Sequence, residues 1–215
     1  MLFLIIAEIG LRIGMPQWRE FSSGRFMERN FVPGYGQVPI GRAEFDGWFA
    51  QNNGDFRVHI QVNAFGLRNP DPPAAANNKV WVIGDSMSFG WGVESHEVYS
   101  AVIAATTKRP TYNIASPGTD VCGYEALLAR MPDGPRPAAV VVGLFVENDL
   151  KIYDCPRGKG PRTAPVNTSG ESLTLSHVKL FLTNHLALYN LLAISVKRVP
   201  AVVNVLEIIG LISKP

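Results

Sequence analysis

The stretch that most constrains this chain is Lys79-Val80-Trp81-Val82-Ile83-Gly84-Asp85-Ser86-Met87-Ser88-Phe89-Gly90-Trp91-Gly92. A short apolar, β-branched run halts at Gly84-Asp85-Ser86, and small residues and glycines follow. Such a run reads as a buried strand that ends in a tight turn, delivering a polar side chain to the edge of a sheet. In open α/β sheets, ligands bind beyond the carboxyl ends of the strands. A serine in that turn is a candidate nucleophile. The plainer reading is that Asp85 and Ser86 cap the next helix, because both residue types are favoured there. The tripeptide alone favours the cap, and the segments downstream change the balance.

Those segments alternate in period. Residues 79–83 read as the first strand and 97–107 as a helix. Residues 111–115 form a second strand and 123–131 a second helix. The near-continuous apolar run 138–145 reads as a strand buried on both faces. Strands alternating with helices imply a parallel sheet with right-handed crossovers. Upstream, residues 15–43 are rich in Gly, Pro and Arg, show no sustained period, and read as a connecting arm. Residues 44–63 carry an alternating run after the turn signal Asn52-Asn53-Gly54-Asp55 and read as a β-hairpin beside the main domain. Residues 151–171 form a polar loop, and 172–198 read as one long amphipathic helix. The tail 200–215 fits either a fourth strand or a hydrophobic helix. The expected organisation is an apolar segment 1–14, an arm with a hairpin 15–76, and an α/β domain 77–215.

The 215 residues suit one domain with a substantial core, and the net charge of +2 singles out no partner. No Lys/Arg-rich run occurs, so nucleic acid is not an expected ligand. The two cysteines, Cys122 and Cys155, both fall just after predicted strands. In an exported domain they would pair; in a cytosolic one they would be free thiols. Neither has the neighbours of a zinc site, so no metal is expected. Residues 1–14 are apolar but shorter than a spanning helix, and they include Glu8 and Arg12. They lack the basic leader and small-residue cleavage site of a signal peptide. Two readings stand for them: the trailing part of a membrane anchor or interfacial helix, or an amphipathic helix docked on the domain.

Three polar signals each follow a predicted parallel strand: Gly84-Asp85-Ser86, Asn113-Ile114-Ala115-Ser116-Pro117-Gly118-Thr119, and Gly143-Leu144-Phe145-Val146-Glu147-Asn148-Asp149. All should emerge at one edge of the sheet. Acyl transfer needs a nucleophile and donors aimed at the oxygen that becomes negative in the tetrahedral intermediate. A serine hydroxyl, a glycine amide and an asparagine carboxamide make such a set.

On these three blocks the chain resembles the SGNH (GDSL-type) hydrolase superfamily over roughly residues 60–198. The segment Asn63-x-x-Gly66-x-Arg68 is similar to one that precedes the first block in membrane-anchored bacterial relatives. The resemblance implies a flavodoxin-like three-layer α/β/α sandwich. It makes Ser86 the nucleophile and forms the oxyanion hole from the Ser86 amide, the Gly118 amide and the Asn148 side chain. Asp85 and Asp149 are expected to fix turns. The reaction implied is ester or acetyl hydrolysis on a carbohydrate or lipid, without metal or organic cofactor, by a membrane-anchored, extracytoplasmic (periplasmic) domain.

One departure is marked. The family's general base is a histidine in an Asp-x-x-His pair near the C-terminus, and this chain contains no such pair. Its histidines are His59, His96, His177 and His185. The last strands of the family sheet also find no match, as expected of a truncated form of a longer enzyme, the preferred reading, or else of a shortened relative or a site completed by another chain. A competing reading is a non-catalytic module of this type that binds a glycan or serves a membrane assembly. A flavin- or nucleotide-binding module is disfavoured, since no phosphate-cradling glycine series is present.

Overall fold

A computed structural model describes residues 2–51, 56–149, 154–155, 158–160 and 175–197. The elements run α1 (Leu2–Gly14), β1 (Met27–Val32), β2 (Gly36–Gly41), β3 (Asp46–Ala50), β4 (Arg57–Gln61), β5 (Val80–Gly84) and α2 (Ser86–Phe89). They continue with α3 (Tyr99–Thr107), β6 (Thr111–Asn113), α4 (Val121–Arg130), β7 (Ala139–Gly143), α5 (Val146–Asp149), α6 (Leu175–His185) and α7 (Ala187–Lys197). The chain divides into two compact units. One comprises Gly24–Trp48 with Val58–Thr168; the other comprises Met1–Ser23, Phe49–Arg57 and Ser169–Pro215. The fold is mixed α/β, with a three-stranded parallel sheet ordered β6-β5-β7 and two antiparallel hairpins.

The larger unit is built around β5. Its Val-Trp-Val-Ile sequence suits a strand, and all five residues are buried. Trp81 and Ile83 join one core cluster with Val38 and Ile40 of β2 and Tyr124 and Leu127 of α4. The buried indole N–H of Trp81 donates to the Ala76 carbonyl at 2.9 Å. Val82 points the other way, lining a cavity with Tyr99 and Ile103 of α3. Parallel pairing sets Val80 opposite both Thr111 and Ala139, and Gly84 opposite Gly143.

Three expectations need correction. The arm is not featureless: β1 and β2 form an antiparallel hairpin within it, pairing Met27 with Gly41 and Val32 with Gly36. It gives the core cluster Val32, Val38 and Ile40, with Tyr35 packed against them, and the glycines and Pro39 around these residues hide the alternation. The apolar run 138–145 yields strand β7, but four of its five residues are exposed. It stands at the edge of the described sheet, and apolar periodicity reports what a strand could bury, not which neighbours it has.

The single long helix expected over 172–198 is two helices that meet at Leu186. The break lies in the smaller unit and is set by α1. Glu8 accepts from the amides of Ala187 and Leu188 at 2.9 and 2.8 Å, capping α7. Arg12 donates to the His185 carbonyl at 2.6 Å, at the end of α6, and to Glu8. An anion at one helix N-terminus and a cation at another helix's C-terminus both oppose the helix dipoles favourably. The two charges that interrupt the apolar segment are thus used within the protein. Among the described residues no helix is long and apolar enough to cross a membrane. The tail 200–215 lies outside the described residues.

Cys122, in the first turn of α4, is bridged to Cys155 across a sequence separation of 33 residues. The sequence left this pairing open. Closing a loop of that length restricts the unfolded chain, so replacing both cysteines with serine should lower the unfolding free energy by about 3–4 kcal/mol. Urea unfolding of the oxidised protein and of the double variant measures it.

Candidate functional site

The site begins with one carbonyl. Gly84, the last residue of β5, accepts from the Ser116 amide at 3.1 Å and from the Thr119 hydroxyl at 3.4 Å. Those two donors bracket Gly118, so the loop after β6 is fastened to the turn that carries Ser86. On the other side, Gly84 is the register partner of Gly143 at the end of β7. The three predicted segments therefore leave the sheet side by side.

Asp85 performs the expected capping role: its carboxylate accepts from the Met87 amide at 2.9 Å, and it is buried. Ser86 follows as the first residue of α2 and is partly exposed. Neither the Ser86 amide nor the Gly118 amide has an acceptor among the described residues. Gly118 takes φ +74°, and a Cβ there would meet only Pro39, at 3.9 Å. The left-handed backbone calls for glycine, and the residue is exposed. Asn148 lies in the short helix α5 directly after β7, while its carboxamide is outside the described structure.

Several supporting residues carry no motif signature. The buried Asp149 accepts from the Tyr124 hydroxyl at 2.7 Å and from the Phe145 amide at 2.8 Å, closing the turn that holds Asn148. This agrees with the turn-fixing role expected of it, but the Tyr124 partner could not be read from sequence. Ser88, also fully buried, sits between strand ends: a Cβ on Gly143 would lie 2.1 Å from its Oγ. Asn113 bonds the Ser88 carbonyl through Nδ2 at 3.1 Å and the Ala115 amide through Oδ1 at 3.0 Å. The Tyr112 hydroxyl, buried beside the sheet, has its pKa pushed up to about 12 by desolvation, with Asn63 opposing and Asp71 adding to the shift.

Two cavities adjoin these elements. One of about 210 Å³ is mainly apolar and is bounded by Asp85, Met87, Ser88, Tyr99, Leu144 and Phe145. The other, of about 240 Å³, lies beside Gly118 and includes Arg29, Tyr35, Gln37 and Asp120. Of the histidines, His59 pairs with Asp46 at 2.6 Å on the β3–β4 hairpin, His96 is exposed, and His185 bonds the Phe181 carbonyl. The His177 side chain is outside the described structure. Among the described residues no group of three or more His, Cys, Asp or Glu is arranged to hold a metal ion.

The packing of Ser88 gives a direct check. Gly143→Ala should destabilise the protein by about 1–3 kcal/mol through overpacking. Most of that loss should disappear in a Ser88→Ala background, because the two sites share one space. Thermal unfolding of the two single variants and the double variant measures the coupling.

No protein-family model matches the chain, and neither a curated protein nor a solved structure matches it.

Proposed function

We propose that this protein is a serine ester hydrolase of the SGNH type, with a flavodoxin-like α/β/α domain. The observation that carries the reading is that the Ser86 and Gly118 amides find no acceptor among the described residues, while the loop carrying Gly118 is fastened to the Gly84 carbonyl, two residues before Ser86. In this reading Ser86 Oγ attacks the acyl carbon and forms a tetrahedral intermediate. Its oxyanion is held by the two amides and the Asn148 carboxamide. Collapse expels the alcohol and leaves an acyl-serine, which water hydrolyses. Donors fixed in advance stabilise the developing charge without reorganising as it forms. A base must take the proton from Oγ and hand it to the departing alcohol oxygen, the task of the Asp-x-x-His histidine in the family this chain resembles; no such pair occurs in this sequence. The ester would belong to a carbohydrate or a lipid.

The same reading places the domain outside the cytoplasm, attached to a membrane. The Cys122–Cys155 bridge suits an oxidising compartment. Helix α1 exposes Phe3 to 78% and Ile13 to 77% although its charges are internally satisfied, and a lipid interface would cover that surface.

Two experiments test these statements. A fluorophosphonate should label the full-length protein at Ser86, with labelling abolished in Ser86→Ala and slowed about 10²–10³-fold in Asn148→Ala. A folded protein that stays unlabelled would instead support the non-catalytic module. For the membrane, sedimentation with anionic phospholipid vesicles should pull down the protein. Phe3→Asp with Ile6→Asp should weaken that binding more than about tenfold, given the apolar area each side chain withdraws from water.

A further inference from the structure

We infer that Arg68 is a positioning residue that fixes the turn carrying Ser86 by clamping the far end of α2, with Asn69 and Asn113 as the second jaw. The inference rests on Ser86 being the reactive residue. It assigns a physical task to Asn63-x-x-Gly66-x-Arg68, which the proposed chemistry does not use.

Arg68 is 6% exposed and has no carboxylate within salt-bridge distance among the described residues; its guanidinium instead gathers carbonyls. Nη1 donates to Phe89 and Gly90, and Nη2 donates to Val93 at 2.8 Å and to His59 at 3.1 Å. The carbonyls of Phe89, Gly90 and Val93 belong to the end of α2 and the turn beyond it. A helix leaves its last carbonyls unpaired, and a cation is favourable there. Nε is buried without a partner among the described residues, so the group is held for its other donors at a cost. Burial also lowers the Arg68 pKa to about 10, with Glu94 opposing the shift. Gly90 fits this arrangement, since a Cβ there would lie 2.8 Å from Nη1.

The second jaw follows in sequence. Asn69 brackets the Asn113 backbone, donating to its carbonyl at 2.5 Å and accepting from its amide at 3.1 Å. The Asn113 side chain in turn holds the Ser88 carbonyl. Asn63 shapes the loop that presents both jaws, accepting from the amides of Phe65 and Leu67 at 3.0 and 3.1 Å.

Helix α2 has only four residues, a length of about 6 Å. Its two ends cannot move independently, so loosening the carbonyl end tilts Ser86 Oγ and the Ser86 amide together. Gly118 would not follow, because its loop is fastened separately to the Gly84 carbonyl. The expected consequence is lost alignment between nucleophile and oxyanion donor, which misplacements of about 1 Å convert into large rate losses.

The test compares wild type with Arg68→Met and Arg68→Lys by hydrogen exchange and fluorophosphonate labelling. In folded Arg68→Met, exchange at Phe89, Gly90 and Trp91 should accelerate at least about tenfold, while Ala126 and Leu127 in α4 keep their protection. Labelling of Ser86 should slow at least about tenfold, and added ethylguanidinium should restore part of it. Arg68→Lys, with one point charge for several acceptors, should behave like Arg68→Met. If Arg68→Met does not fold, Arg68→Lys is read by the same two measurements. Unchanged exchange at residues 89–91 in a folded variant overturns the clamp. So does labelling at the wild-type rate despite faster exchange. A wild-type protein that resists labelling counts against the hydrolase reading alone, and the exchange data still decide the clamp.

Discussion

Everything near Ser86 depends on how the Gly84 carbonyl is shared. A strand's last carbonyl has no ladder partner unless a neighbouring loop supplies one. Here two donors from the loop after β6 supply it. That choice has a geometric consequence, because both donors flank Gly118. The loop is drawn beside the β5 turn, and the Gly118 amide is left without an acceptor among the described residues. Gly84 also pairs with Gly143, where a side chain would collide with Ser88. Small residues at both strand ends let three backbone segments approach more closely than side chains would allow. The site is thus a backbone construction first, with side chains added at its edges.

Much of this was legible in the sequence, for identifiable reasons. The β5 run, Gly84-Asp85-Ser86, and the polar segments after β6 and β7 were readable because each strand ends in punctuation that local sterics impose. The capping task of Asp85 follows from the same local rules. What sequence reasoning missed depends on distant partners. The α6–α7 break is set by Glu8, 179 residues before Ala187, so no window centred on Leu186 could reveal it. The β1–β2 hairpin buries few side chains and carries Pro39 within a strand, which weakens its alternation. Strand β7 has the composition of a core strand but edge exposure. The turn-fixing task of Asp149 is local, but its bond to Tyr124 joins α5 to α4, which only the fold brings together.

The buried polar groups share one pattern. Arg68, Asn113 and Asp149, with the half-buried Asn69, all bond backbone, mostly at the ends of short elements. Side chains used this way replace the ladder or helix bonds that a four-residue helix cannot make for itself. A larger helix after β5 would need fewer such supports. The shortness of α2 and the density of polar groups behind it are two sides of one constraint, which is to hold a turn rigidly where regular structure is too short to do so.

The proposed hydrolase contains two separable halves. Stabilising an oxyanion needs donors that keep their positions before substrate arrives, and backbone amides fixed by buried bonds meet that need. Removing the serine proton needs a base at the right pKa and distance, which backbone cannot provide. In serine hydrolases generally, the oxyanion hole and binding retain about 10³–10⁴-fold of catalysis after the triad is removed. A chain holding the first half alone would therefore still distinguish a tetrahedral, negatively charged ligand from a planar neutral one. The exposure of Gly118 and the partial exposure of Ser86 fit this reading. In that reading an incoming oxyanion gains donors already in position, without the reorganisation that forming a new donor set would need.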